Sequence, residues 1–112
     1  MIRGIYDEDE LIIFLRGHAN YAPRGKDIVC ASVSALAFTY AAHLGTYRKT
    51  EDKMILWCKE KNQTQRRIFK AIVNGLSMIS KSYPENFLLT KGRLSLLIDT
   101  QERLQKENKD DE

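Results

Sequence analysis

Leu11-Ile12-Ile13-Phe14-Leu15-Arg16-Gly17 is the stretch that decides how this chain folds. The apolar run is unbroken, of strand length, and rich in residues that favour extended backbone. A strand with one wet face alternates apolar and polar residues. This one is apolar on both faces and belongs inside a sheet. Gly17 closes it. Upstream, Met1 to Tyr6 reads as a short strand, and Asp7-Glu8-Asp9-Glu10 as the polar turn of a hairpin.

Downstream comes a loop over residues 18–26, punctuated by Pro23 and Gly25. Asp27 then stands where a helix N-cap belongs. Val29, Val33, Leu36 and Tyr40 repeat at helical spacing, which predicts a helix from Ile28 to Leu44, closed by Gly45. His43 falls in its last turn, where a cation is favourable. Residues 46–50 and 53–59 read as a second hairpin turning at Glu51-Asp52, with Cys58 as a small core residue. Ile68, Ile72, Leu76, Ile79 and Tyr83 mark a second helix over 65–83, capped by Thr64 and stopped by Pro84. Gly75 inside it predicts a close approach to another backbone. Residues 86–91 read as a last strand.

The order β-β-α-β-β-α-β gives an α+β fold: a mainly antiparallel sheet of about five strands with two helices on one face. Residues 1–92 read as one domain. Residues 93–112 read as an extension, helical to about Lys106 and then frayed and charged.

Composition narrows the classes. The chain has 112 residues, 43% hydrophobic and 29% charged, enough for one modest core. No apolar run approaches the ~20 residues a membrane span needs. The early acidic cluster at Asp7–Glu10 does not fit a secretory signal, so cytoplasm is the expected compartment and both cysteines are expected to be free. Cys30 and Cys58 stand alone with no ligand-type spacing, so neither a metal nor a cofactor is expected. The formal charge of +3 permits a nucleic-acid or ribosomal partner without requiring one.

The chemistry gathers at His18 and Cys30. With Asp27 as N-cap, Cys30 sits in the first helical turn, where the helix end favours thiolate. Backbone N–H groups around it are candidate oxyanion donors. His18 leaves the end of the strand whose connecting loop leads to that helix, so a base can meet the thiol. Spacing alone leaves a chance histidine and an ordinary buried cysteine as a live alternative. Asp27 reads first as a cap and second as an orienter of His18. Tyr21, Ser32 and Ser34 read first as packing residues.

Gly17-His18-Ala19, followed by Gly25-x-Asp27-Ile28-Val29-Cys30-Ala31-Ser32-Val33-Ser34-Ala35-Leu36, closely resembles the signature of the ribosomal-processing cysteine protease family, Prp. The resemblance runs through about residue 91 and includes Tyr83-Pro84. It implies a small bacterial cysteine endopeptidase, usually homodimeric, that removes an N-terminal extension from a large-subunit ribosomal protein. Phage relatives extend the implied substrates to a phage capsid protein. It places the catalytic histidine on His18 and the catalytic cysteine on Cys30. Ala19, Asn20, Tyr21 and Gly25 then fall on a loop expected to close over substrate. The short first hairpin, Ser32 where alanine is common, and the long tail depart from the family pattern. Two other classes remain open. A ribosome- or RNA-associated module would use Arg66, Arg67 and Lys70, and a redox-sensing thiol would need Cys30 but not His18.

Overall fold

The computed structural model describes residues 1–23, 26–44 and 46–94 of the chain. Its elements run β1 (Ile2–Asp7), β2 (Ile12–Arg16), α1 (Ile28–Leu44), β3 (Tyr47–Lys49), β4 (Lys53–Trp57), α2 (Gln63–Ser82) and β5 (Phe87–Lys91). The strands form one sheet in the order β3-β4-β2-β1-β5. β2 takes the central place that its apolar faces require, with Leu15 opposite Gly4 on β1 and Met54 on β4. The β1–β2, β2–β4 and β3–β4 ladders are antiparallel, and β1–β5 is parallel, so the sheet is mixed.

The two helices are crossover connections. α1 carries the chain from β2 past β4 to the β3 edge, and α2 carries it back to the β5 edge. Both lie on one face. There Val33, Ala37 and Tyr40 of α1 and Phe69, Ile72 and Leu76 of α2 share a core with Ile13, Leu15 and Leu56 of the sheet. The opposite face carries a smaller cluster of Ile12, Ile55 and Trp57 under Leu94.

Several sequence expectations are corrected in detail. Asn62, not Thr64, caps α2: its backbone is extended and its side chain accepts the Gln65 N–H at 2.9 Å, which starts the helix at Gln63. Gly75 makes room for a side chain rather than a backbone, since a Cβ there would lie 2.9 Å from Leu36 Cδ1. Cys58 lies just past β4 and is buried, its thiol donating to the Glu60 carbonyl at 3.0 Å; burial pushes that thiol's pKa up. His43, near the end of α1, meets Gln65 Oε1 at 2.8 Å. The Gly45 cap and the helix expected beyond residue 94 lie outside the described residues.

Asp7 is the largest departure from the hairpin as read. It belongs to β1 and is 3% exposed. Oδ1 accepts the Asp9 and Glu10 N–H groups at 3.1 Å each, closing the turn into β2. Oδ2 accepts the Leu94 N–H at 2.8 Å, pinning the chain after β5 over the second face. A buried carboxylate persists only with such partners. Asp7→Ala leaves three donors without an acceptor and is expected to cost about 3 kcal/mol. Urea unfolding checks this, and an unchanged midpoint refutes it.

Candidate active site

The end of β2 is fixed by a steric requirement. Gly17 has φ +93°, and a Cβ on it would lie 2.6 Å from the Met1 carbonyl oxygen. Glycine alone fits that backbone and that contact. The Gly17 N–H donates to the Asp52 carbonyl at 2.8 Å, which ties the strand end to the β3–β4 turn. His18 leaves this point with its side chain exposed.

Cys30 is placed by Asp27. Asp27 Oδ1 accepts the Cys30 N–H at 2.9 Å, and the Asp27 carbonyl accepts the Ala31 N–H at 3.0 Å. That is N-cap geometry, with Cys30 in the first turn of α1. The other carboxylate oxygen accepts the Tyr21 N–H at 3.0 Å and the Ala22 N–H at 3.5 Å. One side chain thus holds the helix start and the preceding loop together. The hydrogen bond from Cys30, followed by those from the loop, keeps the Asp27 carboxyl below the usual carboxylate range. All these donors are backbone groups, so Asp27 acts here as a cap and a loop clamp. Of the backbone N–H groups around Cys30, its own is thereby engaged by Asp27.

His18 and Cys30 line the same open cleft of ≈ 270 Å³. Leu15 and Met54 of the sheet form its buried floor, and the turn at Glu51 and Asp52 borders it. Cys30, Val33, Ser34, Ala37 and Phe38 supply the α1 wall. Those positions follow helical spacing from Cys30; Val33 and Ala37 belong to the core stripe as well, and Cys30, Ser34 and Phe38 carry it out to the cleft. Phe38, 45% exposed, forms the outer edge of that wall. Ser34 joins the wall, whereas the exposed Ser32 hydroxyl donates to the Ile28 carbonyl at 2.6 Å.

The loop residues have other engagements. Ala19 is buried, and its carbonyl accepts a hydrogen bond from Asn86 Nδ2 at 3.0 Å. Asn20 is exposed with φ +54°. Tyr21 meets Tyr83 edge to face, with ring centroids 5.3 Å apart. Gly25 lies outside the described residues. Nothing in the sequence marks Asn86, because no local pattern links it to Ala19.

A thiol at a helix start and an imidazole on one open cleft, carried by a small α+β sheet, are the groups that cysteine hydrolases use. The profile of the cysteine protease Prp family matches residues 3–87, and the chain belongs to that family of proteases. Solved structures agree on the fold. The ribosomal processing protease Prp of S. aureus, in complex with a covalently linked product peptide, is 23% identical, with TM-score 0.72 over 82% of this chain and 100% of that one. The same protease with a substrate peptide gives 22% identity and TM-score 0.67 over the same shares. SMU.848 from Streptococcus mutans gives 20% identity and TM-score 0.62 over 80% and 90%. No curated protein matches the chain. Among the described residues no helix is long and apolar enough to cross a membrane, and no cluster of three His, Cys, Asp or Glu stands ready to hold a metal.

Two outcomes test this geometry. Gly17→Ala is expected to cost at least about 2 kcal/mol, because it combines a left-handed backbone with a clash; urea unfolding measures it. Asp27 has a depressed folded pKa, so its stabilisation is present above the unfolded value of about 4 and is lost as pH falls through the folded value. Thermal midpoints of wild type and Asp27→Asn, measured from pH 7 to pH 2, should therefore converge at the acid end. A gap that widens on acidification contradicts the clamp.

Proposed function

We propose that Cys30 is the nucleophile and His18 the general base and acid of an endopeptidase that removes the N-terminal extension of a large-subunit ribosomal protein precursor. A phage capsid protein is the alternative substrate, and the working form is a cytoplasmic homodimer. The observation that carries the reading is the convergence of both side chains on one open cleft, with Cys30 inside the first turn of α1. The family membership supplies the reaction class. The substrate class is supported by the S. aureus relative, described as a ribosomal processing protease in complex with a substrate peptide.

The reaction follows from the groups present. His18 takes the Cys30 proton, and the thiolate attacks the scissile carbonyl carbon. The tetrahedral oxyanion collapses, the C–N bond breaks, and His18 returns the proton to the leaving amine. A thioester joins the substrate's N-terminal piece to Cys30. His18 then deprotonates water, which attacks the thioester and releases the acid and the thiol. The helix start favours the thiolate at the first step. For the Cys30 N–H to hold the oxyanion, Asp27 Oδ1 must first give it up.

The test incubates purified protein with a ribosomal protein precursor bearing its extension and, separately, with a capsid precursor. Mass spectrometry reads the new N-terminus. Cys30→Ala should lose at least about 10³-fold in rate and His18→Ala about 10²-fold or more, with circular dichroism showing both folded. Cleavage by Cys30→Ala at the wild-type rate would refute the mechanism. Cleavage of the capsid precursor alone would reassign the substrate.

A further inference from the structure

The outer face of α2 is charged in a way that folding explains only for Lys81, which lies in the last turn where a cation suits the helix dipole. Arg66, Arg67, Lys70 and Lys81 are the only charged residues of its sequence, and all are positive. The first turn has no acidic residue, although an acid there would stabilise the helix and nearby cations oppose its dipole. Arg66 and Lys70 are four residues apart and Arg67 and Lys70 three, so like charges share one face at a cost to the helix. All four cations are exposed. Among the described residues, the ion pairs join Lys61 to Glu10 and Lys91 to Glu8, and neither uses α2.

The face is also continuous. At ~100° per residue, Arg67, Lys70, Asn74, Met78 and Lys81 fall within about 80° of arc, with Arg66 on its flank. The opposite arc holds Phe69, Ile72 and Leu76, buried in the core. From Arg66 to Lys81 the stripe spans about 22 Å along the axis. Asn74 is exposed between the cations, and Met78 is 70% exposed beside them.

We propose that this stripe is an RNA-docking surface. Its cations would meet successive backbone phosphates, and Asn74 and Met78 would rest on sugar or base edges. RNA fits better than a lipid surface, because a membrane-bound helix buries a broad apolar face, and the apolar face of α2 is already spent in the core. Docking there is independent of the cleavage reaction, since no α2 residue lines the cleft.

The experiment uses the full chain and a fluorescein-labelled 20-nucleotide RNA hairpin, read by anisotropy from 50 to 200 mM KCl. Wild type should bind with an affinity that falls linearly on a log–log salt plot, with a slope of about 2 to 4. The variant Arg66→Glu/Arg67→Glu/Lys70→Glu should lose at least about tenfold in affinity and flatten the slope by about 2. Arg3→Glu/Lys59→Glu/Arg93→Glu changes net charge equally at other exposed positions and should bind nearly as wild type. Peptide cleavage by the α2 variant should be unchanged, which also shows that it folds. Absence of wild-type binding at 50 mM KCl overturns the proposal. So does an equal loss in both triple variants, which assigns binding to net charge alone. Equal affinity for phosphatidylglycerol vesicles overturns it in favour of an anionic surface of any kind.

Discussion

The burial of β2 is the constraint from which the architecture follows. Its backbone is paired on both edges, and its side chains are covered on both faces: Ile13 and Leu15 by the helices, Ile12 by the cluster under Leu94. A strand so enclosed cannot slip its register, because a one-residue shift would exchange the two faces. Its end is therefore a fixed point. Gly17 turns there under the Met1 carbonyl and is held by the Asp52 carbonyl. The end of β2, the start of β1 and the β3–β4 turn thus meet in one place, beside the start of α1. The cleft with His18 and Cys30 is where those ends leave space.

Most of this frame was legible because it is periodic. The unbroken apolar run placed β2 at the centre, and helical spacing gave α1 its observed limits, Ile28–Leu44. What was missed depends on contacts between distant residues. Asp7 looked like one of four acids in a turn. Its burial depends on Leu94, far along the chain, whose N–H needs an acceptor. Thr64 and Asn62 are both good caps by type, and only the extended backbone at Asn62 decides between them. At the cleft, His18 and Cys30 were legible as chemistry and as a family pattern. The competition for the Cys30 N–H was not, although the Asp27 cap that causes it was. A cap and an oxyanion donor draw on the same backbone group, and sequence does not show which holds it.

That competition links the loop to the site. Asp27 binds the Cys30 N–H with one oxygen and the Tyr21 and Ala22 N–H groups with the other. Tyr21 in turn rests on Tyr83, and Ala19 is held by Asn86, both in the connection from α2 to β5. The loop, the helix start and that connection therefore form one hydrogen-bonded and aromatic unit. Displacing Tyr21 from Tyr83 would remove a donor from Asp27, whose carboxylate also holds the Cys30 N–H. The Tyr21 bond to Asp27 is exposed, whereas the Cys30 bond is partly buried and made to a charged acceptor, so the second is the costlier of the two to exchange. In the proposed reaction, displacement of Tyr21 and release of the Cys30 N–H would then be coupled through Asp27. One carboxylate therefore serves two backbone segments at once, and in the proposed reaction the Cys30 N–H would become an oxyanion donor only where Asp27 gives it up.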